Sequence, residues 1–232
     1  MRVAILFSGG KDSAYAIEYA MQKKFEIAYL LTVKPTRKDC FLFHYSTAEN
    51  AAQVAEMLGF RHVLINCDVA DPKAEATLVR EVVERDKVDA LILGGIGLQV
   101  TQIKSLQDAL LPLGVECFAA HAGYDHKELM EEMLNKGYRF IITQIASDGL
   151  HAWLGEEITK ENFPQLQKAA EKFGFHIGFE GGYADTFCID APYFPKRVKI
   201  LEAEKIFDGS YSGHIVIKRM EFESKKFVRQ DF

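Results

Sequence analysis

Short apolar runs alternate with amphipathic stretches through the first half of the chain. The runs occupy residues 3–7, 27–33, 62–66, 90–93 and 115–119. Between them, apolar positions recur at three- and four-residue intervals over residues 13–22, 47–58, 73–85 and 101–111, which predicts helices. The runs are apolar at consecutive positions rather than at every second one, so the strands they predict should be covered on both faces. Strands joined by helices imply a parallel sheet. Gly59 and Gly114 stand where helices should stop, each just ahead of a new strand.

The pattern changes in the second half. Residues 125–135 predict a helix with Leu129, Met130, Met133 and Leu134 on its apolar face, ended by Gly137. A strand is expected over 138–145 and a helix over 162–173. After Gly181-Gly182 the stretches 185–189, 198–203 and 214–222 alternate as strands do, and antiparallel pairing is expected for them. The expected fold is α/β: a Rossmann-like parallel sheet with helices on both faces in residues 1–120, and a smaller α+β domain in residues 121–232. No repeat or low-complexity linker separates the two, so they should pack closely.

Composition changes this picture little. The chain has 232 residues, 48% hydrophobic and 26% charged, which fits an ordered globular enzyme. A net charge of −5 supplies no general drive toward nucleic acid. No run approaches the ~20 apolar residues of a membrane helix. Residues 3–7 read as a core strand without a leader pattern, so a cytoplasmic location is expected. Cys40, Cys67, Cys117 and Cys188 form no Cys-x-x-Cys pair and are expected to be small core residues. Lys225, Lys226 and Arg229 read as a solvated tail.

The candidate chemistry begins where the first strand meets the first helix, at Ser8-Gly9-Gly10-Lys11-Asp12-Ser13. Adjacent glycines permit positive φ and close approach by a ligand. The following helix start offers free N–H groups and the positive end of its dipole to a phosphate. Lys11 adds a point charge; Ser8 and Ser13 add hydroxyls. The spacing matches neither a Walker loop nor the dinucleotide fingerprint. The segment resembles the PP-loop of the ATP pyrophosphatases, which implies that the β- and γ-phosphates of ATP are gripped and AMP and pyrophosphate are released.

Further motifs narrow the resemblance. Glu180-Gly181-Gly182 is followed by Asp185-Thr186-Phe187-Cys188-Ile189-Asp190-Ala191-Pro192. Together with His44, Gly94, Ile96, Ser147-Asp148-Gly149-Leu150, Trp153-Leu154-Gly155 and Ser212-Gly213, these resemble the diphthine–ammonia ligase family over about residues 1 to 222. Two departures fall near the acceptor motifs. Tyr183 and Ala184 replace an acid and an aromatic, and Val100, Thr101 and Gln102 stand where the family carries Tyr-Gln-Arg, with only Lys104 keeping a positive charge.

The resemblance implies an adenine-nucleotide alpha-hydrolase-like sheet as an ATP pyrophosphatase domain (1–120), followed by a substrate-binding domain (121–232). ATP would be held by Ser8, Gly9, Gly10, Lys11, Asp12, Ser13, His44 and Gly94. Asp12 either binds Mg²⁺ or only stabilises the helix start. His44, among Phe41, Phe43 and Tyr45, is either a nucleotide contact or a structural residue. Gly95, Lys104, Gly181, Gly182 and Thr186 are candidate acceptor contacts. Lys11, Glu180 and Asp185 are the catalytic candidates, the two acids orienting ammonium or taking its proton. The implied reaction adenylates a carboxylate and amidates it with ammonium. Its implied acceptor is diphthine on translation elongation factor 2, a protein partner; neither a membrane nor a nucleic acid is expected, and self-association stays open. A diverged paralogue amidating a small carboxylate, such as a corrinoid side chain, and a non-catalytic ATP sensor remain as alternatives.

Overall fold

The structure, a computed structural model, describes residues 1–35, 48–68, 71–95 and 100–225. Cys40, His44, Ile96, Gly97, Lys226 and Arg229 lie outside the described residues. Strands β1 (Arg2–Leu6), β2 (Glu26–Pro35), β3 (His62–Cys67), β4 (Ala90–Leu93) and β5 (Glu116–Ala119) form the first sheet. Its order is β3-β2-β1-β4-β5 and every pairing is parallel. Helices α1 (Lys11–Gln22), α2 (Ala48–Met57), α3 (Pro72–Arg85) and α4 (Val100–Leu110) join the strands.

The central place of β1 follows from its two apolar faces. Val3, Ile5 and Phe7 pack in one core cluster with Ala14, Ile17 and Ala51, whereas Ala4 and Leu6 pack in another with Val79, Val83 and Leu106. Helices α1 and α2 therefore cover one face and α3 and α4 the other, as the unbroken apolar runs predict. The chain moves outward from β1 through β3, then crosses to the other side for β4 and β5. That reversal leaves a crevice between the carboxyl ends of β1 and β4, where sheets of this kind take their ligands.

The remaining elements are α5 (His126–Lys136), β6 (Arg139–Ala146), β7 (Glu157–Ile158), α6 (Phe163–Phe173), β8 (Ala184–Asp190), β9 (Lys196–Phe207) and β10 (Ser212–Ser224). They build a second sheet, β7-β6-β10-β9, with β8 also on β6 and all pairings antiparallel. The first core cluster runs on into this layer: Phe140, Ile142, Leu166 and Phe187 share it with Phe7. Strand β8 also approaches the first sheet, because Cys188 N–H donates to the Gly9 carbonyl at 2.8 Å. The loop after β1 thus has the second layer as its floor.

Two expectations about single residues resolve differently. Cys67, Cys117 and Cys188 are buried free thiols, and burial pushes the Cys117 thiol up to about 12, so these three behave as core residues. Lys225 does not belong to a solvated tail: its ammonium pairs with Asp190 and donates to the Ala191 carbonyl at 2.6 Å. Among the described residues no helix is long and apolar enough to cross a membrane.

Candidate active site

Helix α1 starts at Lys11, with Gly10 as an N-cap that carries no capping side chain. Gly9 takes φ +81°, and a Cβ there would meet the Phe187 ring at 3.0 Å. The serines brace this turn. Gly10 N–H donates to Ser8 Oγ at 3.3 Å, Ser13 Oγ–H donates to the Gly10 carbonyl at 2.9 Å, and the two hydroxyl oxygens are 3.3 Å apart. Gly10 offers no side chain to cap the first turn, so the N–H groups beyond Lys11 and the helix dipole suit an anion at the crevice end of the sheet.

Lys11 is 2% exposed. Its ammonium donates to Asp12 Oδ2 at 2.6 Å and to the Gly178 carbonyl at 2.9 Å, and lies 5.9 Å from the centre of the Phe179 ring. A buried cation requires partners of this kind. The Lys11 backbone N–H donates to Thr186 Oγ1 at 3.2 Å. The loop is therefore tied twice to segments 167 and 175 residues further along the chain. Thr186, expected among acceptor contacts, also braces the phosphate loop through its bond to Lys11. Asp12 keeps a partly exposed carboxylate beside the loop, which fits a hydrated Mg²⁺ held through one acid.

The segment that Lys11 grips leads directly into the acidic turn. Phe179 has φ +65°, uncommon for a bulky residue, and Gly181 and Gly182 have φ +96° and +81°. Glu180 N–H donates to His176 Nδ1 at 3.3 Å. Glu180 is 9% exposed, and its side chain faces the end of β4, where a Cβ on Gly95 would lie 3.0 Å from its Oε1. Gly95 thus makes room for the carboxylate. Gly94 is buried differently: a Cβ there would come within 2.5 Å of Ser13 N and 2.7 Å of the Asp12 carbonyl carbon. Both neighbours are backbone. Gly94→Ala is accordingly expected to lower stability by about 1–3 kcal/mol, read as a lower urea midpoint. An unchanged midpoint would mean that α1 shifts away freely.

Asp185 is buried near the start of β8, opposite Gln144. It is not part of the group formed by His121, His126 and Glu180. Lys104 is exposed on α4. Gly181 and Gly182 are exposed at the turn, while Tyr183 packs against the core cluster. Where the resemblance implies an acid, the Tyr183 ring has a packing role.

Three histidines that the sequence reading passes over complete the surroundings of Glu180. His121 Nε2 is 3.8 Å from Glu180 Oε1. The His121 and His126 rings meet edge-to-face at 5.3 Å between centres, and His126 meets His176 in the same way at 4.7 Å. Burial lowers all three from their ordinary value, His121 to about 4, and the Lys11 charge adds to each shift. A usable signal exists in the sequence: His121 follows closely after a predicted fifth strand, at the end of the sheet where ligands bind.

Comparisons with known proteins identify the relatives of this chain. The diphthamide synthase N-terminal domain family matches residues 1–110, and the diphthamide synthase C-terminal domain family matches residues 125–222. Curated relatives named diphthine–ammonia ligase include that of Danio rerio, 26% identical over 99% of this chain and 99% of its own length. The Mus musculus protein is 24% identical over 97% of this chain and 94% of its own. The Homo sapiens protein is 24% identical over 90% and 86%, respectively. With the phosphate loop and the acidic turn joined in one crevice and both family domains matched in order, this chain belongs to the diphthine–ammonia ligase family.

Proposed function

We propose that this protein activates a carboxylate with ATP and amidates it with ammonium, its acceptor being diphthine on translation elongation factor 2. The observation that carries this reading is the tie between loop and acidic turn, in which Lys11 holds the Gly178 carbonyl two residues ahead of Glu180. A site that must bring a triphosphate and an ammonium to one carboxylate needs both elements at one crevice.

ATP is a substrate here. Ser8, Gly9, Gly10, Ser13 and the first N–H groups of α1 would hold its terminal phosphates, with His44 and Gly94 as further candidate contacts. A Mg²⁺ ion held by Asp12 would offset phosphate charge. An oxygen of the acceptor carboxylate attacks the α-phosphorus, and the bond to the β-phosphate breaks. Lys11 and the loop N–H groups stabilise the charge that builds on the departing pyrophosphate. Ammonium then gives a proton to Glu180, and the nitrogen attacks the activated carbonyl carbon while AMP leaves with its bonding electrons. The second proton that the nitrogen sheds passes to the departing phosphate or to water. In this division residues 1–120 handle ATP, and residues 121–232 present the acceptor through Gly181, Gly182, Asp185 and Thr186, with Gly95 and Lys104 at the border.

The expected products are AMP and pyrophosphate, formed only when ATP, ammonium and diphthine-bearing elongation factor 2 are all present. Isotope-labelled ATP separates the outcomes, because ADP and orthophosphate would place the enzyme outside the PP-loop class. A different carboxylate is favoured by one observation, the packing of Tyr183 against the core cluster where the resemblance implies an acid. Amidation of a small carboxylate such as a corrinoid side chain, with elongation factor 2 unmodified in parallel, would establish that second reading. Failure to release pyrophosphate with any acceptor would leave an ATP sensor.

A further inference from the structure

None of the steps above uses the imidazoles beside Glu180. His121 follows β5 with no exposed surface, and neither of its ring nitrogens has a hydrogen-bond partner among the described residues. Leaving a buried polar atom unpartnered is costly, so such an atom calls for a ligand. Contacts with the Tyr15 and His126 rings supply packing but no acceptor or donor in the ring plane. His126, the first residue of α5, is half-buried beside His121, and its Nδ1 packs where a Cβ on Gly178 would stand, 2.7 Å away. One nitrogen of His121, one nitrogen of His126 and one oxygen of Glu180 all lie within 4.8 Å of one another.

We propose that His121, His126 and Glu180 form a divalent transition-metal site, suited to Zn²⁺, with a fourth position open to water or a substrate oxygen. Two imidazoles and one carboxylate match the donors that zinc takes when three protein ligands leave one position free. Tetrahedral bonds of about 2.0–2.1 Å place donor atoms roughly 3.3 Å apart. The His121–Glu180 pair, at 3.8 Å, needs only a small contraction to reach that spacing. Magnesium is the wrong ion here, because it prefers oxygen ligands. The support around the site is already in place: His176 Nδ1 accepts the Glu180 N–H at 3.3 Å and fixes the backbone that carries the carboxylate. Glu180 supplies the negative charge, while Lys11 and Asp12 nearby offset each other. The site is distinct from the loop that would carry Mg²⁺, so it should fill without nucleotide.

The test uses the full chain, stripped by a chelator, dialysed and titrated with Co²⁺ in the absence of ATP. Visible absorption reports the coordination geometry, Zn²⁺ competition reports displacement, and elemental analysis gives stoichiometry. One ion per chain with an intense tetrahedral spectrum, displaced by Zn²⁺, is expected. His126→Gln should weaken binding by at least ~100-fold, beyond the ~10–100-fold typical of losing an outer partner. Glu180→Gln, nearly identical in shape, should do the same and answers the question if His126→Gln folds poorly. Asp12→Asn should weaken Co²⁺ binding far less than either ligand variant, only through the Lys11 charge that it leaves uncompensated. Absence of a stoichiometric ion, or binding unaffected by both ligand variants, overturns the proposal. Binding that requires ATP and is lost in Asp12→Asn also overturns it, by assigning the ion to the phosphate loop. Because the readout involves no turnover, an inactive protein would still give a clear answer.

Discussion

Glu180→Gln is expected to reduce amide formation by about 10²–10⁴-fold, the usual range for a lost general base, while ATP binding is retained. The substitution keeps the shape of the side chain and leaves the backbone N–H of residue 180 free to donate to His176 as before. What it removes is the charge beside Gly95 and His121. Ammonium must lose a proton before its nitrogen can attack, and a neutral amide cannot take that proton. Adenylation needs no such step, so pyrophosphate exchange should survive better than amide synthesis. Asp185→Asn gives a useful comparison because Asp185 lies on β8 outside the Glu180 cluster. Full amide yield from both variants, each normally folded, would show that the acids serve only the architecture. Glu180→Gln also removes one donor of the inferred metal site. His126→Gln therefore separates the two roles, since it should release the metal without removing the carboxylate.

The parts of this molecule legible in its sequence are those whose causes are local. Consecutive apolar residues in β1 put Val3 and Ile5 on one face and Ala4 and Leu6 on the other, and a two-sided sheet follows. Gly59 and Gly114 end their elements with φ +75° and +70°, as their positions before new strands suggest. The phosphate loop is legible because its glycines, lysine and serines are contiguous. The active-site surroundings are less so, because they are long-range. The loop glycines predict a turn, but nothing local predicts that Thr186 and Gly178 will bind Lys11. Gly94 looks like a ligand-facing glycine in the sequence, yet its missing side chain is required by the backbone of α1. Histidines 121, 126 and 176 come from the end of β5, the start of α5 and the turn after α6, and no spacing rule links them. Lys225 resembles its basic neighbours until Asp190 is placed beside it.

The Lys11→Ala variant is expected to raise the ATP dissociation constant by roughly 10- to 150-fold, the equivalent of losing one charge-assisted contact of about 1.5–3 kcal/mol. The structure adds a second consequence. Lys11 is held between Asp12 and the Gly178 carbonyl, so truncation also cuts the tie that keeps the Glu180 segment against the loop. Asp12 is partly exposed and can be resolvated, whereas the Gly178 carbonyl loses a donor in a buried setting. Turnover at saturating ATP should therefore fall as well, because Glu180 is no longer fixed against the end of β4. Lys11→Arg tests whether charge alone suffices: its planar fork cannot reproduce a point charge on one carbonyl and one carboxylate, and an intermediate affinity is expected. Calorimetry on folded protein measures the binding effect, and amide yield at saturating ATP measures the positioning effect. ATP affinity unchanged in folded Lys11→Ala would sink the assignment of Ser8–Ser13 as the phosphate loop. Weakened affinity with full turnover at saturation would instead confine Lys11 to nucleotide binding, with the Gly178 tie incidental to catalysis.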